Sequence, residues 1–135
     1  MTMKSTTKIE AVATTYTPFL VGAEDIILTA VTLPGISQGD RIVLSINIGW
    51  EKPSRWDMGE IEVFIRQNTS DGPILYWSLE SCYLKARTRE SITLTGNEQM
   101  EHFYLIVRSL HQQAIISGDY FLEGTVFSEE DNSQS

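Results

Sequence analysis

The sequence predicts an all-β fold, an antiparallel β-sandwich of jelly-roll type with about eight strands. Three observations carry this expectation. Apolar residues recur at every second position in several segments, Thr and Val are frequent while Ala-rich or Leu-rich helical windows are few, and turn residues fall between the segments.

The strands can be justified in order. Residues 41–50 place Ile42, Leu44, Ile46, Ile48 and Trp50 on one face, with Ser45 and Asn47 on the other. Residues 60–66 repeat the scheme with Ile61, Val63 and Ile65 inward and Glu60, Glu62 and Arg66 outward; Phe64 is the apolar exception on the outward side. In residues 103–108, Phe103, Leu105 and Val107 alternate with Tyr104, Ile106 and Arg108, so both faces are largely apolar and the strand is expected to be central. Tyr120, Leu122, Gly124 and Val126 alternate with Phe121, Glu123, Thr125 and Phe127. Weaker strand signals cover 9–16, 25–33, 74–87 and 91–95, the third with a bend near Glu80 and Ser81. Turns are expected at Pro34-Gly35, Gly39-Asp40, 70–73, Gly96-Asn97 and 117–119, and one helical turn at 99–102 or 110–114.

A chain of 135 residues fits a single domain. Its expected organisation is a flexible N-terminus over 1–8, one sandwich over 9–127 and a disordered acidic tail over 128–135. The net charge of −8 argues against binding to a phosphate backbone, so no nucleic-acid partner is expected. No run approaches the ~20 apolar residues of a membrane span. The opening residues hold no apolar signal-peptide core, which implies cytoplasmic synthesis, with a spore or cell surface reached by assembly. Cys82 is single and reads as a half-buried strand thiol rather than a nucleophile.

No catalytic residue, metal site or cofactor is expected. His102 and His111 lie toward opposite ends of one predicted strand, and neither belongs to a ligand motif. Glu60 and Glu62 share a strand face, the one arrangement that would suit a sugar-active enzyme, although such a face is usually just solvated. Two other groups remain. The loop over residues 50–58 (WEKPSRWDM) offers Trp50, Arg55, Trp56 and Asp57 as a ligand or partner site, with Trp50 alternatively closing the core. Phe64, Ile106, Phe121 and Phe127 form the candidate association surface, because they fall on outward positions of their strands.

From Gly39 to Phe127 the segments GDRIVLSINIGW, GEIEVFIRQN, EHFYLIVRSL and SGDYFLEGTVF resemble, in that order, the bacterial pre-peptidase C-terminal domain, a jelly-roll sandwich normally appended to secreted peptidases. The closing segment SGDYFLEGTVFS is also similar to the last strand of bacterial spore-surface and appendage subunits, small jelly rolls made without a signal peptide. Both resemblances imply the same fold and neither implies an enzyme. The expected function is therefore a non-catalytic module for protein association or self-assembly, a subunit of a bacterial surface structure, with itself or another protein as partner. The alternative is a carbohydrate-binding module that takes a glycan on Trp50 and Trp56, with Tyr76 or Trp77 as a further platform. These two neighbours point to opposite faces of one strand, so at least one of them should be core. The outsider is a glycan-active enzyme using Glu60 and Glu62.

Overall fold

A computed structural model describes residues 2–129. They form nine strands: β1 (Thr2–Ala11), β2 (Phe19–Val21), β3 (Ile26–Leu33), β4 (Arg41–Glu51), β5 (Gly59–Gln67), β6 (Ile74–Cys82), β7 (Lys85–Thr95), β8 (Glu101–Arg108) and β9 (Ala114–Ser128). One sheet runs β1-β9-β4-β7, with the short β2 also on β9, and the other runs β3-β8-β5-β6; every pairing is antiparallel. The pairs β1/β9, β3/β8, β4/β7 and β5/β6 nest from the ends of the chain inward. That is a long hairpin rolled over on itself, the jelly-roll arrangement.

Period-two patterning builds the core directly. Ile42, Leu44, Ile46, Ile48 and Trp50 of β4 point between the sheets, where they meet Ile61, Val63 and Ile65 of β5 and Phe103, Leu105 and Val107 of β8. Leu122 and Val126 of β9 complete that layer. Gly124 is part of the same fit, since a Cβ there would stand 2.7 Å from Leu33 Cδ1 of the facing sheet.

Several expectations are corrected. The polar opening residues, expected as a flexible terminus over 1–8, supply most of β1 from Thr2 onward and pair in register with β9. Residues 74–87 do not bend at Glu80 and Ser81; they divide into β6 and β7 at the exposed pair Tyr83 and Leu84. No helical turn occupies 99–102 or 110–114, and the one short helix among the described residues is a 3-10 turn at Ala13–Thr15. The acidic tail begins later than expected, as Ser128 closes β9; residues 130–135 of that segment lie outside the described residues.

The expected turn at 117–119 is a bulge inside β9. From Ile48 to Trp50, β4 advances two residues, while its partner positions on β9 run from Tyr120 to Ile116. Ala13 N–H donates to Asp119 Oδ1 at 2.7 Å, the Tyr16 hydroxyl donates to Gly118 O, and Arg87 Nη1 donates to Asn47 Oδ1 at 2.6 Å and Asp119 O at 3.2 Å. Gly49 and Gly118 touch backbone to backbone here: a Cβ on Gly49 would lie 2.7 Å from Gly118 Cα, and one on Gly118 2.8 Å from Gly49 Cα. Neither backbone can yield as a side-chain tip would. Gly118→Ala is therefore expected to cost about 1–3 kcal/mol, read as a lower urea midpoint with an unchanged slope.

Candidate functional site

The outer face of the β3-β8-β5-β6 sheet carries an apolar row that crosses all four strands. Ile27 of β3 stands opposite Ile106 of β8, Ile106 opposite Phe64 of β5, and Phe64 opposite Trp77 of β6. The two central members are buried, while the rims are open: Ile27 is 49% exposed and Trp77 52%. Leu79 and Ile74, also half exposed on β6, extend the rim along that strand. Cross-strand neighbours of this kind are the contacts that stabilise a sheet surface.

Charged side chains explain why Phe64 is buried on a face that points away from the core. The guanidinium groups of Arg108 and Arg66 lie over its ring, 5.1 and 5.6 Å from the centroid. Arg108 is itself fixed by a two-pronged contact with Glu62, Nε to Oε2 at 2.9 Å and Nη2 to Oε1 at 2.8 Å. Trp77 Nε1 donates to the same Glu62 Oε1 at 3.2 Å, and Asp25 lies 3.9 Å from Arg108 Nη1. The hydrogen-bonded Arg108 guanidinium holds the Glu62 carboxyl below its usual range; burial opposes the shift and the Trp77 indole assists it. Glu62 is thus a fixed anion that orients Arg108 and Trp77. Glu60, its neighbour on the face, has no part in these bonds to Glu62.

The four expected association residues do not meet. Phe64 and Ile106 lie on this face, whereas Phe121 and Phe127 lie on the outer face of the other sheet, opposite Asn47 and Arg41 of β4. That second face is polar: Thr6 and Thr125 hydroxyls are 3.1 Å apart, Ser45 and Ser91 hydroxyls 3.4 Å, and Lys8 Nζ sits 4.3 Å from the centre of the Phe121 ring. Phe64 and Ile106 are also buried rather than displayed, at 4% and 0% exposure. The side chains the face presents are Ile27, Ile74, Trp77 and Leu79; of these the sequence singles out Trp77 alone, and not as an association residue.

The 50–58 loop does not gather its four candidates either. Trp50 is 1% exposed and its Nε1 donates to Thr88 Oγ1 at 3.0 Å inside the sandwich, so it cannot stack on a ligand. Trp56 is half-buried; Arg55 lies over its ring at 5.6 Å and donates to Gln112 Oε1 at 3.0 Å. Asp57 is exposed. Cys82 ends β6 as a buried residue, and burial pushes its thiol pKa up. His102 bonds Thr32 through Nδ1 at 3.0 Å, and His111 is exposed in the β8–β9 loop. Among the described residues no three His, Cys, Asp or Glu side chains group as a metal site would require, and no helix is long and apolar enough to cross a membrane.

No protein-family model matches the sequence, and no curated protein does. Solved structures are similar in fold. A chain from Bacillus endospore appendages, described as disulfide-linked pili, superposes with a TM-score of 0.51 at 9% identity over 93% of this chain and 88% of that one. Dimeric latent PorU from Porphyromonas gingivalis gives a TM-score of 0.49 at 13% identity over 95% of this chain, which spans 13% of PorU.

Proposed function

We propose that this chain is a non-catalytic assembly module that associates with further copies of itself through the β3-β8-β5-β6 sheet, where its apolar side chains are exposed. The observation that carries the reading is the row from Ile27 to Trp77, apolar across four strands and open at both rims. What it exposes lies at the two rims, Ile27 on β3 and the group Ile74, Trp77 and Leu79 along β6, and grouped exposed apolar side chains mark association sites on soluble proteins. The fold is one that appendage subunits use, which supports a role as a building block of a surface structure. The linkage would differ from that of disulfide-linked pili. The chain holds one cysteine, and it is buried, so the assembly proposed here is non-covalent.

The test is solution mass by light scattering after size exclusion, across protein concentration. The native chain is expected to exceed 15.2 kDa as concentration rises, and the double variant Ile27→Lys, Trp77→Lys to stay at that mass. A native chain that remains monomeric at every concentration would sink the proposal. The carbohydrate alternative loses its paired platform with the burial of Trp50.

A further inference from the structure

We propose that two copies join strand to strand along β6, about a two-fold axis, so that two four-stranded sheets become one of eight. The inference rests on the self-association reading above and specifies its geometry.

The edges of the two sheets differ in their protection. An edge strand offers unpaired N–H and C=O groups to any other strand, and proteins usually guard such edges with charge or proline. In the β1-β9-β4-β7 sheet, β1 carries Lys4, Lys8 and Glu10, β7 carries Lys85, Arg87, Arg89 and Glu90, and the uncharged β2 beside β9 is only three residues long. In the other sheet, β3 has no charged residue and β6 has one, Glu80; neither contains proline. Of these two open edges, β6 is the more apolar on the outer face. It presents Ile74, Trp77 and Leu79 at 48%, 52% and 51% exposure, where β3 presents Ile27 alone. β6 pairs with β5 on one side only.

The register follows from the side chains. A two-fold axis normal to the sheet makes the two β6 strands antiparallel and keeps outer faces on the same side. Centred on Ser78, it sets Trp77 against Leu79 of the partner subunit twice over, and Glu80 against Tyr76 of the partner subunit. Sliding the centre to Leu79 leaves Trp77 facing serine, and sliding it to Glu80 opposes two carboxylates. The Ser78-centred register therefore joins the two apolar rows into one, with no like charges directly opposed.

The contact is small. Two half-exposed side chains per copy, Trp77 and Leu79, meet across the seam and stay open on the outer side, so the apolar area covered is at most about 400 Å² over both, at the small end of weak complexes. A reversible dimer is the expected outcome. Two bodies of net charge −8 also repel each other, and salt screens that repulsion. Dimerisation should therefore strengthen with ionic strength, the opposite of an ion-paired interface.

Sedimentation velocity across concentration and salt, on the native chain and two single variants, tests this. The native chain is expected to reach twice 15.2 kDa and stop there, since a two-fold contact is closed. Leu79→Lys should weaken association at least ten-fold while Ile27→Lys leaves it unchanged, with circular dichroism confirming that both variants fold. Amide hydrogen exchange in β6 should slow in the native dimer and not in Leu79→Lys. Equal disruption by both variants would mean that whole faces pack together, which overturns strand pairing but keeps self-association. A mass that climbs without limit, or unprotected β6 amides in the dimer, would equally overturn it. A native monomer throughout would remove both proposals.

Discussion

Replacing Trp50 by alanine is expected to remove about 3–5 kcal/mol of stability, the usual cost of deleting a large buried aromatic side chain. The ring is 1% exposed among the core side chains of β4, β5 and β8, and its Nε1 satisfies the buried Thr88 hydroxyl. Against a typical total of about 5–15 kcal/mol, such a loss leaves a substantial unfolded population. Trp50→Phe separates the two contributions. It keeps most of the apolar area but leaves Thr88 without its indole donor, for an expected cost of about 1–3 kcal/mol. Urea denaturation followed by far-UV circular dichroism measures both. A loss below about 1 kcal/mol for the alanine variant would be incompatible with a core tryptophan and would return Trp50 to the ligand-site candidates.

Arg108→Ala is expected to be the most costly change on the outer face, about 2–3 kcal/mol at neutral pH. Breaking a buried ion pair costs about 3–5 kcal/mol, and the partial exposure of the Arg108 side chain, 31%, lowers that figure. The substitution leaves Glu62 charged without its two-pronged partner and uncovers the Phe64 ring. Acid provides the diagnostic. The Glu62 carboxyl titrates below its unfolded value because Arg108 bonds it, so its contribution is complete above the ordinary carboxylate range. That contribution fades as pH falls through the lowered folded value. The stability gap between native chain and variant should therefore be widest at neutral pH and close on acidification. Asp40, also held low, titrates in both proteins and cancels in the comparison. A gap that does not change with pH would exclude the ion pair as its source.

The fold was legible where one face of a strand is dry and the other wet. β4 shows this best: every second residue from Ile42 to Trp50 is buried, and the alternation survives in the sequence. β1 lacks that contrast. Its residues are exposed or half-buried along its length, so Thr2 to Lys8 carries no period and was expected to be a free end. The β6–β7 boundary was hidden for a different reason: Tyr83 and Leu84 make a tight connection out of apolar residues, without Gly, Pro or Asn. At 117–119 the turn chemistry was real, but the strand absorbed it as a bulge.

The candidate surface was half legible. Alternation assigned Phe64, Ile106, Phe121 and Phe127 to outward positions, and none of them belongs to the cluster between the sheets. Alternation cannot say which sheet a strand joins, so it could not separate the β5/β8 pair from the two phenylalanines of β9. Nor could it foresee that Arg66 and Arg108 would roof over Phe64. That requires Glu62 and Arg108, forty-six residues apart in the chain, to be cross-strand neighbours. Trp77 was legible only as one of two adjacent aromatics on opposite faces, and the packing of Tyr76 against the core decided which one stays outside.

β9 is the last of the nine strands among the described residues, yet it lies in the middle of its sheet, with β1, β2 and β4 all bonded to it. On the ribosome, then, the first eight strands emerge before the sheet has its keystone, and β1 and β4 wait with their edges unmet. Completion of that sheet is deferred until β9 has emerged, and until then the inward row of β4 lacks the cover of Leu122 and Val126. Pairings this distant in sequence also close slowly, because the entropy of a long loop must be overcome before any contact rewards it. A stop codon anywhere before β9 leaves a product in which that sheet has lost its centre.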